Sequence, residues 1–530
     1  MAASLLVPLG MTAAPKDYTK YVDPFIGADG GGYAFCGACV PFGMVKLGPD
    51  CNNLTENAGW QKDTDIVGFS HTHLNGSGGG CKYGNVLFMA STGELDPNDY
   101  ASPYSGERAE VGMFSVSLDR WDVSARLSAS AHAGFHEYTF PKSESSNIFV
   151  DLGKFLASIE MQEFVGSEVT ILSDHEIQGY TRIRNGWNYS KAYTVYFYAD
   201  FDRAADSFGT WIEGKKEPGK RCQADHNTKC GAWFSYNTNA GDRVRVKVGI
   251  SYMGYNKARE NAMELGTWNI EDTRAEAVDK WNDILSQVDV ESSDEDRMKI
   301  FYSSMYRIFL QPSDYNGENP VWKTSSPYYG DYHAIWDTFR ATHPFINIFR
   351  PTIGGDMVQS LVDIYENDKY MPDARSSHST GRTQGGSNCD MLVADAYVKG
   401  IRNVDYEKAL DAMIKNATVP PGDDERQYGR GGLPDYNRLG YVSTDYERGC
   451  SRTFEYSAND YAIAVLAKGL GKEDIYKEYL KKASNWKNLW NPEISSFGFS
   501  GFAWPRNGDG TWLSDPDFTV FSSGSFDHQF

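Results

Sequence analysis

The sequence predicts a multidomain α and β protein: an N-terminal β-sandwich, a helical linker and an incomplete C-terminal (α/α)6 toroid. Three observations lead there. The first half is a succession of short alternating segments separated by Gly, Asn, Asp and Ser. Near Tyr255 the apolar period lengthens to that of a helix. At 530 residues the chain is also long enough for two or three separately packed domains. The expected divisions are 1–16 for a signal-peptide remnant, 17–253 for the sandwich, 254–290 for the linker and 291–530 for the partial toroid.

Alternation is read at Phe114–Leu118, Val123–Ala129, Phe135–Phe140, Ile148–Asp151, Val169–Leu172, Tyr193–Phe201 and Val244–Tyr252. Arg243-Val-Arg-Val-Lys-Val248 is the clearest case, with one wet face and one dry. Many short strands without helices between them favour a sandwich. In the linker Ala258, Ala262 and Leu265, then Ala275, Val278, Trp281, Ile284 and Leu285, follow helical spacing. Asp294 stands where an N-cap belongs, before a helix carrying Met298, Phe301, Met305, Ile308 and Phe309 and stopped by Pro312. Further helices are expected around 335–349, 355–366, 388–400, 405–416, 456–470 and 473–488.

A sandwich followed by paired helices suggests a two-domain carbohydrate-active enzyme. A closed six-pair toroid needs twelve helices, and the periodicity supplies about seven. The closing Phe526-Asp-His-Gln-Phe530 is aromatic and has no tapering polar tail. The toroid is therefore expected to be open and the chain truncated.

Composition narrows the partners. A net charge of −20 gives no basic face for nucleic acid, and a neutral substrate suits an acidic chain better than an acidic polymer. The 33 Tyr and 13 Trp are more than packing requires, and rings with a polar edge stack well on sugars. No run reaches eighteen apolar residues, so no membrane span is expected. Ser4 to Ala14 is apolar and ends in small residues, like the end of a secretory signal, although the positive beginning of one is missing. Eight Cys are too few for a disulfide framework. Cys36-Gly-Ala-Cys39 lacks the helix of a redox motif and the second pair of a zinc site, which leaves buried or locally bridged thiols. Cys222 and Cys230 flank a polar loop that a disulfide could close.

Four segments are polar, aromatic and Gly-rich where a core would be aliphatic. In Tyr21–Asp50 the triplet Gly30, Gly31 and Gly32 permits close backbone approach to a ligand or another domain; a structural hairpin is the alternative. Trp60 precedes His71 and His73, which at i, i+2 project to one side of an extended segment. Such a pair serves either a hydrogen-bonded turn or a zinc site that still lacks a third ligand. Asp337 and Arg340 share a helix face, as an ion pair or as a carboxylate and guanidinium that grip sugar hydroxyls. Gln384, Asn388 and Asp390 are hard oxygen donors that suit calcium better than zinc, unless Ser387 or Asn388 simply caps the following helix.

Taken together, YVDPFIG…GGGYAFCGACVPFGMVKLGPD, GFSHTHLNGSG, WDTFRATHP, MPDARSSHSTGRTQGGSNCDMLVADAYVKG and EYSANDYAIAVLAKGLGK resemble glycoside hydrolase family 92. These are calcium-dependent, exo-acting α-mannosidases, and the motifs stand in the family's order. The one departure noted is Cys36, where the family usually has Pro. The resemblance implies a sandwich packed on an α/α toroid, an active site between them, Ca2+ as cofactor and inversion at the anomeric carbon. Inversion would set a Glu acid and an Asp base about 6.5–9.5 Å apart, leaving room for water. It further implies that Asp337 and Arg340 grip the terminal mannose, that Trp60 and Gly31 lie on the sandwich side of the pocket, and that Gln384 and Asn388 line the toroid side. His71 and His73 would support the pocket. The family's acid lies in a Glu-Gly-Asn motif and its base in a Gly-Asn-Asp motif. Neither occurs in these 530 residues, so no catalytic residue is assigned and the chain is expected to be inactive. Glu455 and Asp460 could substitute, but their motif resembles a structural one. The implied substrates are mannose-containing glycans met in a secreted or periplasmic setting. A non-catalytic glycan-binding protein is the alternative. A phosphorylase would need a phosphate pocket and a uronate lyase a basic groove, and the sequence offers neither.

Overall fold

The computed structural model describes residues 16–52, 58–76, 82–156, 162–186, 190–225, 227–381, 385–422 and 428–514. The signal-like residues 1–15, Gln384 and Phe526–Phe530 lie outside the described residues.

The N-terminal half consists of two antiparallel sheets. One has seven strands, in the order Gly48–Cys51, Ile66–Ser70, Leu87–Thr92, Ser143–Asp151, Cys230–Thr238, Ser207–Ile212, Lys215–Pro218. The other has nine, in the order Cys222–Asp225, Gln162–Ile171, Glu176–Asn185, Tyr193–Phe201, Arg243–Ser251, Ala133–Thr139, Val123–Ala129, Met113–Leu118, Tyr104–Glu110. In Arg243–Ser251, Val244, Val246, Val248 and Ile250 are fully buried between the sheets. Arg245 on the other face donates to Glu137 at 2.8 Å and Asp202 at 2.9 Å.

The residues expected as a linker cover this outer face instead of merely connecting two halves. Tyr255–Ala262 packs Ala258 and Ala262 on Tyr198, and Leu265 and Ile270 join Met113, Ala133 and Phe135. Gly249 lies directly beneath the first of these helices, where a Cβ would collide with the backbone of Ala258 and Ala262. Ile270–Leu285 follows, and its Trp281 donates from Nε1 to the Cys39 carbonyl at 2.8 Å.

From Glu295 to Lys482 nine helices are present among the described residues. Asp294 caps the first as expected, its Oδ1 accepting from the amides of Asp296 at 3.1 Å and Arg297 at 3.2 Å. The expected helix over 335–349 is broken into Ile335–Thr338 and Thr342–Phe349. Pro344 has no N–H and its ring opposes the carbonyl four residues back, so a continuous helix cannot pass it. Cys222 and Cys230 form no bridge: Cys222 is exposed at the edge of one sheet, whereas Cys230 is buried in the other. Cys36 and Cys39 are buried free thiols, and Cys39 Sγ sits 3.2 Å from the Tyr306 hydroxyl.

Two buried polar clusters generate stability predictions. Arg430 has no exposed side chain and pairs with Asp460 at 2.7 Å and Asp390 at 3.2 Å. Burial pushes the Asp390 carboxyl up to about 7 even with Arg430 beside it. Arg430→Ala strands these carboxylates, so a loss of about 3–5 kcal/mol is expected in chemical denaturation. A loss below about 1 kcal/mol would contradict the pairing.

Burial also holds His71, His333 and His343 down near about 4 and His378 near about 3. Above the ordinary imidazole value the folded and unfolded states are both neutral there, and the stabilisation is complete. As pH falls from about 6.5 toward 4 the unfolded chain gains protons that the folded chain refuses. Stability then drops by up to about 1.4 kcal/mol per pH unit for each imidazole. His136, held well below the ordinary imidazole value, adds to these rings, while Asp390 and the other carboxyls that burial raises, Asp151, Asp314 and Glu455, act in the opposite direction. Thermal midpoints measured from pH 7.5 to 4.5 should fall steadily below 6.5; a flat profile would contradict neutral buried rings.

Candidate functional site

A cleft of about 290 Å³ opens where the sandwich meets the helical half. Asn75 and Gly76 contribute from the sandwich, while Arg307, Asp331, His333 and His343 contribute from the other side. Arg307 ends the helix Glu295–Ile308 and clamps the Gly-rich N-terminal segment. It donates to the carbonyls of Phe35 at 2.9 Å, Pro24 at 2.7 Å and Ile26 at 2.6 Å, and to Asn75 Oδ1 at 3.2 Å.

Asp331 lies in the floor. Its carboxylate accepts from the Tyr83 and Tyr315 hydroxyls and from Ser313 Oγ, the last at 2.9 Å. Lys46 Nζ reaches the same Ser313 Oγ at 2.9 Å. Burial works to raise the Asp331 carboxyl, but His333, Lys46 and the two phenols outweigh it and hold it below the usual range. His333 and His343 line the cleft as neutral rings, able to exchange hydrogen bonds with hydroxyls without demanding charge.

Glu455, on the helix Gly449–Gly469, stands close enough to Asp337, which lines the cleft, to feel its charge. Arg340 Nη2 donates to Glu455 Oε1 at 3.2 Å, and the guanidinium carbon lies 4.5 Å from the Phe339 ring centroid. Burial raises the Glu455 carboxyl; Arg340 and the Asn388 side chain oppose the rise, and the Asp337 charge adds to it. Gly385 approaches so closely that an added Cβ would lie 3.3 Å from Glu455 Cγ. Three residues expected to bind substrate, Asp337, Arg340 and Asn388, thus converge on a glutamate whose motif resembled a structural one.

The i, i+3 ion pair expected between Asp337 and Arg340 does not form. Arg340 lies beyond the end of a one-turn helix, and its guanidinium turns to Glu455. Asn388 occupies the N-cap position of Cys389–Val398 without a side-chain cap. Its Oδ1 accepts from Asn459 Nδ2 at 3.1 Å, and its backbone N–H donates to Asp373 at 3.2 Å. Ser387 is drawn to Asp390 at 2.7 Å and to Arg430 at 3.0 Å, so it does not cap either. Asp390, expected among hard donors for a cation, already faces the Arg430 guanidinium. Asp460 is likewise committed, to Arg430 and to Tyr436 at 2.8 Å.

The remaining candidates sit elsewhere. Trp60 is buried in the sandwich core, 4.8 Å from the Phe25 ring. Gly31 lies at an exposed loop tip with φ +83°, and Gly32 turns its tight approach on the Gly27 carbonyl, not toward the cleft. His71 is bonded through Nδ1 to the Val86 carbonyl at 2.7 Å and meets His136 Nε2 at 3.1 Å. His73 meets the Lys46 carbonyl and Asp50, each at 2.7 Å. Both rings are therefore engaged at both nitrogens and leave none for zinc. His73 reaches the cleft only indirectly, through Phe35, whose amide donates to Asn75 at 3.1 Å. Arg307, Asp331, His333 and His343 are not singled out by the sequence reading, although His343 lies in the quoted segment WDTFRATHP.

The sequence matches the glycosyl hydrolase family 92 N-terminal domain over residues 21–251 and the family 92 catalytic domain over residues 257–526. A protein of Arthroderma benhamiae (strain ATCC MYA-4681 / CBS 112371), described as an uncharacterized secreted glycosidase, is 29% identical over 553 residues, covering 94% of this chain and 67% of its own length. A family GH92 α-mannosidase of Bacteroides thetaiotaomicron, solved in complex with mannoimidazole, superposes with a TM-score of 0.84 at 28% identity. That match covers 94% of this chain and 67% of the other. A family GH92 inverting mannosidase from the same species gives a TM-score of 0.84 at 26% identity, over 96% of this chain and 69% of its own. No helix among the described residues is long and apolar enough to cross a membrane. With its β-rich N-terminal and helical C-terminal domains both matched, the chain belongs to glycosyl hydrolase family 92.

Proposed function

We propose that this chain forms the mannose-gripping cleft of an exported, exo-acting, inverting α-mannosidase that removes terminal mannose from glycans. The observation that carries the reading is the convergence of Asp337, Arg340 and Asn388 on Glu455, beside a cleft with neutral imidazoles. The solved relatives, an α-mannosidase and an inverting mannosidase, support the same substrate class, and the word "secreted" in the description of the fungal relative supports export. In this reading the paired helices, such as Gly449–Gly469 against Glu473–Lys482, belong to an (α/α)6 toroid.

Each group has a physical task. Arg340 offers N–H donors fixed in direction by its planar fork, and Asp337 offers an acceptor on the same cleft. Glu455 is a positioning residue: paired with Arg340, it limits the guanidinium to orientations useful for a sugar. That role rests on the 3.2 Å contact with Arg340, since burial keeps the Glu455 carboxyl above its usual range in spite of the neighbouring cation. His333 and His343 present neutral donors and acceptors to hydroxyls.

Calcium enters through the family resemblance. Among the described residues no three His, Cys, Asp or Glu gather as a metal cage, and Glu455 and Asp390 are each held by an arginine. These residues do not fit the ion by themselves.

Neither the Glu-Gly-Asn nor the Gly-Asn-Asp motif occurs in the sequence, so the polypeptide assayed alone is proposed to bind sugar without turnover.

In calorimetric titration with methyl α-mannoside, Arg340→Ala should weaken binding at least about tenfold, the loss of one charge-assisted contact. Glu455→Gln should weaken it less, and Trp60→Phe should leave it unchanged. Equal affinity in Arg340→Ala and the parent chain would overturn the site. Incubation of the 530-residue chain with an aryl α-mannoside should release no aglycone above the buffer rate. Release abolished by a calcium chelator would refute the proposed inactivity.

A further inference from the structure

A second cleft, of about 590 Å³, also lies between the two halves. It adjoins the first through one side chain: the Tyr83 hydroxyl donates to Asp331 in the first cleft and accepts from the Ser377 amide, at 2.8 Å, in the second. The inner wall is a hairpin of Arg375–Ser376 and Ser379–Thr380, whose two-residue turn is Ser377-His378. Both turn residues have positive φ, 48° and 61°. Turns of this kind are filled with least strain by Asn-Gly or Gly-Gly. Retaining Ser and His there keeps two side chains where the backbone alone would select against them, and such stored strain is concentrated at functional sites.

These side chains are also under-used. Ser377 is 2% exposed and His378 5%, yet Ser377 Oγ and His378 Nε2 have no hydrogen-bond partner among the described residues. The other ring nitrogen, Nδ1, meets the Tyr328 hydroxyl at 3.0 Å, and the Tyr252 ring stands edge-on to the imidazole at 4.3 Å. Tyr196 and Tyr252 form the sandwich wall, and Met253 and Val321, about half exposed, supply an apolar rim. Asp368 in the lining is committed to Arg375 at 2.6 Å, which leaves Lys191 as the one other charge among the described residues of the lining.

We propose that this cleft binds a neutral saccharide unit, separate from the residue held at Arg340. A pyranose pairs a hydroxyl edge with a C–H face. The edge supplies partners to Ser377 Oγ and His378 Nε2, and the face lies on the tyrosine rings and the apolar rim. Lys191 is exposed and screened by water, so a charged ligand gains little from a polar wall of hydroxyl and neutral imidazole. An apolar ligand would leave both buried groups unpaired.

The test uses the full chain and titrates methyl α-mannoside, an α-mannobiose and cellobiose by saturation-transfer NMR and calorimetry. Arg340→Ala removes the first cleft's grip and should leave a residual saccharide site. In that background Ser377→Gly should raise the melting temperature, since glycine accepts the positive φ without strain, while weakening the residual binding at least fivefold. Val321→Glu, on the exposed rim, should weaken it with the melting temperature unchanged. If Ser377→Gly stabilises the protein and residual binding persists unaltered, the turn is structural and the proposal is overturned. It is overturned equally if none of the three sugars binds once Arg340 is removed. Undiminished total binding in Arg340→Ala would instead count against the first cleft and leave this one standing.

Discussion

A carboxylate sealed from water must be met by donors, and Asp331 takes them from both halves of the molecule. Tyr83 comes from the sandwich; Tyr315 and Ser313 come from the helical side; Lys46, buried and with its ammonium pushed below the usual lysine range, joins through Ser313. Sliding one half against the other would strand a charge in a low-dielectric interior. The relative placement of the two layers is thereby fixed, and with it the shape of each cleft that flanks the Tyr83–Asp331 contact. Arg307 and Glu318 reinforce the same boundary, the latter accepting from Ser251 at 2.6 Å, the Tyr252 amide at 2.8 Å and Asn261 at 2.8 Å.

On that rigid boundary the two clefts differ in electrical character. The first combines neutral histidines with Asp337, beside which the Arg340–Glu455 pair stands. Arg340 remains largely exposed, so its pairing with Glu455 is screened and contributes orientation more than stability. Among its described lining residues the second carries only the exposed Lys191 and an Asp368 already paired with Arg375. A glycosidase handling a neutral polymer benefits from both: fixed donors where one ring is held, and a softer surface that accepts another.

The period-two alternation revealed strands such as Val123–Ala129 and Tyr193–Phe201 at their observed limits. It failed where both faces are covered. Gly48–Cys51, Ile66–Ser70 and Leu87–Thr92 are buried nearly throughout and so show no alternation. In Glu176–Asn185 the inward residues include Gly179 and Thr181, which hide the period. Helix caps were legible when they were local: Asp294 needed only its own neighbours. Asn388 and Ser387 were not, since their hydrogen bonds run to Asn459 and Arg430 far along the chain. The site followed the same rule. Asp337, Arg340 and Asn388 stood out as polar residues in Gly-rich surroundings, whereas Glu455, weighed as a substitute carboxylate, lay in a motif that resembled a structural one. His71, His73 and Trp60 drew attention by residue type, and the fold uses them in the sandwich core.

The central claim is that a sugar is held where the two layers meet, by Arg340 and Asp337. The most direct measurement is a crystal structure of this chain grown with mannoimidazole. The account predicts one sugar ring in the cleft bounded by Asn75 and His343, with its hydroxyls in hydrogen-bond contact with the Arg340 guanidinium and the Asp337 carboxylate. A ring bound only away from that boundary, with Arg340 still closed on Glu455 and the cleft holding water alone, would contradict it.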